Sequence, residues 1–322
     1  MMDTKKLYRQ TMPYTLARFG LALLLALLSG ILMFVCLRLE GSVGASLAHV
    51  LGGLIGEDLG EDGPAAAVFC IWLCGTIGLH FIIMRYAGYL LKAGHIAVLS
   101  EALGTGSVPE NQVAFGKQAV LNRFGAIHAY LVLDRLVDGA VSQLCKAVSK
   151  TGEAFEDIPG VPVISEATQL FLRIALGHVD ACCLAFSFYR KRANPFQDAA
   201  DGVVLYFQNW KTLLKTAGAL TLACCGLYCA LGIASLIVFA CFMNDGTNLP
   251  AAYAGGFFFW VIKASLIDSW VMVKMVAGFF AEARDKEPAV DVYDKLAGLS
   301  GKFRELWQRA ETAPRDEKGS AR

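Results

Sequence analysis

Charge is scarce in this chain. Asp, Glu, Lys and Arg make up 18% of its 322 residues, and they balance to a net +1. An ordinary soluble domain carries more. With no basic excess, nothing global points to nucleic acid. The ten cysteines include no CxxC pair with a matching partner, which argues against a zinc site or a disulfide framework. Nearly all of them lie in apolar runs, where cysteine packs as a small apolar residue. HExxH, GxSxG and the phosphate-cradling GxxxxGK[ST] are all absent. The Gly104–Gly106 stretch GTG is no dinucleotide fingerprint, and the HVD at His178 has no second ligand nearby. No enzyme, cofactor or metal centre is therefore expected. No repeat of 20–50 residues is evident.

The chain is instead rich in apolar surface, with 56% hydrophobic residues. The stretch Ala251–Ala281, AAYAGGFFFWVIKASLIDSWVMVKMVAGFFA, exceeds the length needed to cross a hydrocarbon core of about 30 Å. It nevertheless contains Lys263, Asp268 and Lys274. A charge near a helix centre costs roughly 2.5–3.5 kcal/mol on insertion scales and usually faces other helices or a wet cavity. Lys263 and Lys274 share a helix face, while Asp268 is five residues from Lys263 and cannot readily neutralise it. Partners on other helices are expected.

The hydropathy pattern predicts an all-α, polytopic transmembrane helical bundle of about six spans: 14–39, 65–84, 124–145, 166–188, 217–243 and 251–281. The third and fourth are weaker, because each carries internal charges. An alternative has four spans, with 113–148 and 163–192 as surface or re-entrant helices. Cation-rich and cation-poor connections alternate along the chain. Lys5, Lys6, Arg9 and Arg18 precede the first span, and the loop 40–63 has no Lys or Arg. The rule that cations stay inside then places both termini in the cytoplasm.

Amphipathic surface helices are expected around Val43–Leu54 and in FQDAADGVVLYFQNWKTLLK, where Asp198 and Asp201 fall off the apolar face. Another is expected from Val292 to Ala310, whose other face carries Lys295, Lys302, Arg304 and Arg309. That basic helix suits either anionic headgroups or packing against the bundle. The expected organisation is a membrane domain over 1–287, a cytoplasmic helix over 288–311 and a disordered tail over 312–322.

The candidate substrate or ion pathway consists of Lys263 and Asp268 with Asp134, Arg135 and Asp138 of the third span, and Arg173 and Asp180 of the fourth. Comparable depth makes Asp180 the preferred partner of Lys263 and Asp134 the reserve. Buried ion pairs that fix helix register explain the same residues equally well. Tyr253, Phe257, Phe258, Phe259, Trp260 and Trp270 have the chemistry of a cation–π cage. An aromatic belt at the membrane interface is the more economical account of Tyr253–Trp260.

Three features share an order: the helix FGKQAVLNRFGAIHAYLVLDRLVDGAVSQL, the unit LRIALGHVDACCLAFSFYRKRANPFQDAADGVVLYFQNWKTLLK, and the last span with Gly256-Phe257-Phe258 before Asp268. In this order, from about 115 to 282, the chain resembles the C-terminal half of the choline transporter-like family. The resemblance implies a helical transporter with cytoplasmic termini, and it carries over no choline-binding residue. The expected function is small-solute transport. The alternative is a membrane scaffold or assembly subunit whose charges set register. The expected partners are the lipid bilayer and a small solute or ion, with a homo-oligomer or membrane partner subunit left open.

Overall fold

A computed structural model describes residues 3–39, 44–55, 63–124, 127–150, 178–192, 194–243 and 249–312. Among them every regular element is helical, so the all-α expectation holds. Four stretches are long and apolar enough to cross a membrane: Met12–Arg38, Ala66–Thr105, Lys215–Phe242 and Ala251–Ala283. They expose large apolar side chains, among them Leu27, Ile31, Phe81, Leu222 and Leu236. Such surfaces would drive association in water, whereas hydrocarbon solvates them. These helices make the chain a membrane protein.

Among the described residues, the stretch 124–145 does not join the four. The helix α7 (Ile127–Lys150) buries Leu133, Leu136, Val137, Ala140 and Leu144 along one stripe, while Arg135 and Asp138 are exposed on the other face. That is the pattern of a helix packed on one side and wet on the other. Residues 166–177 lie outside the described residues. Beyond them comes α8 (Val179–Arg190), whose 12 residues span only ~18 Å. The described helices therefore include four apolar crossings, and α7 fits the surface or re-entrant helix of the four-span alternative.

The chain divides into two compact units. The first combines Met1–Thr15, Leu90–Ala230 and Leu266–Arg322, and the second Leu16–Tyr89 with Leu231–Ser265. This division cuts across the expected boundary at 287, because residues from both sides of it share the first unit.

In the first unit, α1 (Thr4–Gln10) packs on α12 (Asp268–Ala283), where Lys274 Nζ donates to Thr4 Oγ1 at 2.7 Å. The helices α5 (Tyr89–Thr105) and α6 (Gln112–Phe124) precede α7. Among the described residues, α8 and α9 (Pro195–Gln208) pack most extensively. A Cβ on Gly202 would lie 2.9 Å from Cys183 Cα, so only glycine permits that approach. Cys182 and Cys183 are fully buried there, and burial pushes both thiols well up, as fits packing rather than reactivity. Asn194 starts α9: its side chain accepts the Phe196 N–H at 2.9 Å, and Pro195 opens the first turn. The helices α13 (Val290–Leu299) and α14 (Gly301–Thr312) close the unit. Phe303, Leu306 and Ala310 are buried, and α14 packs on α7 and α9. Of the two uses open to this amphipathic segment, its apolar stripe serves packing.

The helices of the second unit are α2 (Met12–Leu39) from Leu16, α3 (Ala45–Ile55), α4 (Gly63–Ile83), the part of α10 (Trp210–Phe242) from Leu231, and α11 (Leu249–Ile262). Met33, Cys36, Val68 and Trp72 form its core. A Cβ on Gly255 would sit 2.9 Å from Ser235 O and 3.3 Å from Phe239 Cβ, so α10 and α11 meet backbone to backbone, as the small residues of that span predict. One π-turn, Met84–Gly88, comes directly after α4, and another, Lys263–Ile267, directly after α11. Within this unit Arg18 Nη2 donates to Ala264 O of the latter turn at 3.3 Å.

Candidate functional site

The second unit contains a cleft of about 630 Å³ between α2, α4 and α11. Tyr253, Phe257 and Trp260 recur at i, i+4 and i+7, which places three rings on one face of α11. Trp72 and His80 of α4 answer them. The rings form a continuous chain. His80 meets Trp260 edge-on at 5.0 Å, Trp260 meets Phe257 at 5.9 Å, Phe257 meets Tyr253 at 4.4 Å, and Tyr253 meets Trp72 at 6.0 Å. Edge-on and tilted contacts of this kind stabilise aromatic clusters beyond their buried area.

Several polar atoms at this wall already have partners. Trp72 Nε1 donates to Ser29 O at 3.1 Å, Ser29 and Thr76 hydroxyls share a 2.7 Å hydrogen bond, and the Tyr253 hydroxyl donates to Ala26 O. Gly30 permits the last contact, since a Cβ there would lie 3.0 Å from the Tyr253 hydroxyl. Among the described residues, no Asp, Glu, Lys or Arg lines the cleft. The site therefore selects by shape, apolar contact and ring electrostatics. Both α4 and α11 pass into a π-turn within a few residues, at Met84 after His80 and at Lys263 after Trp260. Such turns recur at functional sites.

The sequence-predicted charges are distributed differently. Lys263 opens the π-turn of the second unit and is half-buried. Asp134, Arg135, Asp138, Asp180 and Asp268 belong to the first unit. Arg173 lies outside the described residues. Asp180, expected against Lys263, forms its ion pair with Lys92 of α5. Burial pushes its carboxyl up, but Lys92, His178 and the Ala181 N–H together outweigh burial and hold it below the usual carboxylate range. Asp134 is buried, whereas Arg135 and Asp138 are exposed. Asp268 begins α12 in electrostatic reach of Tyr228. Of the predicted charges among the described residues, none lines the aromatic cleft.

Among the described residues, the densest charged cluster involves Asp198 and Asp201, which the sequence places off the apolar face of α9. Asp198 is fully buried and accepts from Arg123 Nη2 at 2.6 Å and from the Arg192 N–H at 3.1 Å. Arg123 also donates to Ser187 Oγ and to the Arg192 carbonyl. Asp201, equally buried, accepts from Arg192 Nη1 at 2.8 Å, from Gln197 Nε2 at 2.7 Å and from the Tyr293 hydroxyl. The network ties α6, α9 and α13 together with the turn before α9. Burial pushes the Asp198 carboxyl up to about 6, against the pull of Arg123 and Arg192. Its one sequence signal is the i, i+3 spacing of Asp198 and Asp201 beside a cationic run.

With these helices and sites, the chain defines an all-α membrane protein. Searched against protein-family models, curated proteins and solved structures, it matches none. The choline transporter-like resemblance accordingly gains no support from a neighbour.

Proposed function

We propose that this protein is a small-solute transporter or permease whose solute site is the aromatic cleft. The observation that carries the reading is a cavity of about 630 Å³ within a unit built from membrane-crossing helices. Its described lining includes a continuous chain of rings and no Asp, Glu, Lys or Arg. Ligand sites have this size and lining, with few polar groups that fix orientation. Ring faces attract cations without a counter-ion, so organic cations and neutral ring compounds are the favoured solutes. The resemblance to the choline transporter-like family agrees with this class.

The test is uptake by purified protein in liposomes, with tetraethylammonium as the cationic probe and indole as the neutral one. Uptake of either above empty vesicles, lost in Trp260→Ala and Tyr253→Ala, is the expected result. A folded protein that moves neither probe would leave the scaffold reading in place. One observation favours that second reading for the charged residues. Arg123–Asp198, Arg192–Asp201 and Lys92–Asp180 are ion pairs with a buried carboxylate, the arrangement that a register role requires.

A further inference from the structure

A second cavity, of about 430 Å³, lies wholly in the first unit between α5, α6 and α8. One face of α6 lines it: Phe115, Gln118, Ala119, Asn122 and Arg123 recur at i, i+3, i+4, i+7 and i+8. Glu101 of α5 and Lys191 after α8 complete it, with Phe188 and Ala97 as apolar wall.

Three features make this cavity more than a gap between helices. The first is the state of its charges. Arg123 is already engaged by Asp198, Ser187 and the Arg192 carbonyl, so it serves as a fixed floor and not as a free counter-ion. Glu101 and Lys191 pair with each other at 3.1 Å, and the lysine side chain is 64% exposed. An exposed pair of this kind is weak and exchangeable. The second feature is a pair of amides. Gln118 and Asn122 are exposed at i, i+4, and their side chains make no hydrogen bond among the described residues. The third is backbone strain. Lys191 ends α8 in the left-handed region at φ 52°, where glycine is the favoured residue. A lysine there keeps a side chain at the pocket against the preference of the backbone, and such outliers point to function.

We propose that this pocket binds a free amino acid with an apolar side chain. Its rim carries one carboxylate and one ammonium. A net anion or cation would satisfy one and strand the other. A zwitterion satisfies both: its ammonium takes Glu101, its carboxylate takes Lys191, and the two rim groups exchange each other for ligand. Phe115, Phe188, Ala97 and Ala119 then receive the apolar side chain. The Gln118 and Asn122 amides supply donors and acceptors for the remaining lone pairs and protons of the α-groups.

Calorimetric titration of the full-length protein in detergent tests this, with L-phenylalanine, phenethylamine and 3-phenylpropionate as probes. L-Phenylalanine should bind at least about tenfold more tightly than either singly charged analogue. Glu101→Gln should weaken L-phenylalanine about tenfold and leave 3-phenylpropionate unchanged. Lys191→Gly should do the same with respect to phenethylamine, and it keeps the fold because glycine suits this backbone. Trp260→Ala, in the aromatic cleft, should leave L-phenylalanine binding untouched, so this site and the proposed solute site stand or fall separately. Equal affinity for L-phenylalanine and an analogue would overturn the proposal. So would the absence of L-phenylalanine binding to protein of normal melting temperature, or binding indifferent to both rim variants.

Discussion

Replacing Arg123 by Met leaves the buried carboxylate of Asp198 without its closest cation. The side chain of Asp198 has no exposed surface, and Arg123 Nη2 stands 2.6 Å from Oδ2. The remaining partners are the Arg192 N–H at 3.1 Å and Arg192 Nε at 3.5 Å. Removing one partner of a buried pair costs about 3–5 kcal/mol, and for a unit of this size that is a fall of about 6–20 °C in melting temperature. The loss should depend on pH, and the sign comes from the carboxyl. Asp198 is pushed from its ordinary 3.8 up to about 6, so the native state binds its proton more readily than the unfolded chain does. The stability linked to that proton is complete below about 3.8 and is lost as pH rises through about 6, roughly 3 kcal/mol in all. Asp201 repels the same carboxylate, and Arg192 attracts it. Without Arg123 the group titrates higher still, so Arg123→Met should be most damaging at pH 8 and recover toward pH 5. The double variant Arg123→Met with Asp198→Leu should regain most of the loss at pH 8, because it buries no lone charge. Thermal unfolding in detergent micelles, followed at both pH values, decides the matter. Equal melting of single and double variants, or a loss that ignores pH, would refute the reasoning.

Adjacent glycines should respond oppositely. Gly255→Ala forces a Cβ to 2.9 Å from Ser235 O and should cost about 1–3 kcal/mol, whereas Gly256→Ala meets nothing within 4 Å and should be near neutral by thermal melting. Lys191→Gly should raise stability by about 1 kcal/mol in chemical unfolding, because it relieves a left-handed residue that carries a Cβ. Phe303→Ala should cost about 3–5 kcal/mol in unfolding free energy, since that ring is fully buried in the first unit. Its protein should bind anionic vesicles as the parent does, because the apolar stripe of α14 serves packing.

The four crossings were legible because hydrocarbon imposes a requirement that composition alone displays: about twenty consecutive residues without many charges. Of the other two expected spans, 124–145 failed on the same test, and most of 166–188 lies outside the described residues. In α7 the apolar residues Leu133, Leu136, Val137 and Ala140 form a stripe, and a stripe is the mark of a half-wet helix. Charged partners were much less legible. Asp180 found Lys92, 88 residues away, and Asp198 found Arg123, 75 residues away. A carboxylate looks the same in a sequence whether water or an arginine satisfies it, and no local period distinguishes the two. The aromatic cleft lay between these extremes. The sequence offered its aromatics as a cage or, more economically, as an interfacial belt, and it gave no sign of the Trp72 and His80 that answer Tyr253, Phe257 and Trp260 from α4.

The first unit draws on residues near both ends of the sequence and on its middle. Synthesis proceeds from one end, and domains fold as their parts emerge. When α9 has left the ribosome, Asp201 still lacks the Tyr293 hydroxyl, and the α7 and α9 faces still lack Phe303 and Leu306. By then the first two of the four crossing segments are made, while the unit that includes residues 4–10 must wait for α13 and α14. The nascent chain thus carries an open apolar face, with a buried-to-be acid at its edge, through the whole of its membrane insertion. A chain stopped after α12 would present that face permanently, and quality-control proteases should remove it faster than any of the single-residue variants.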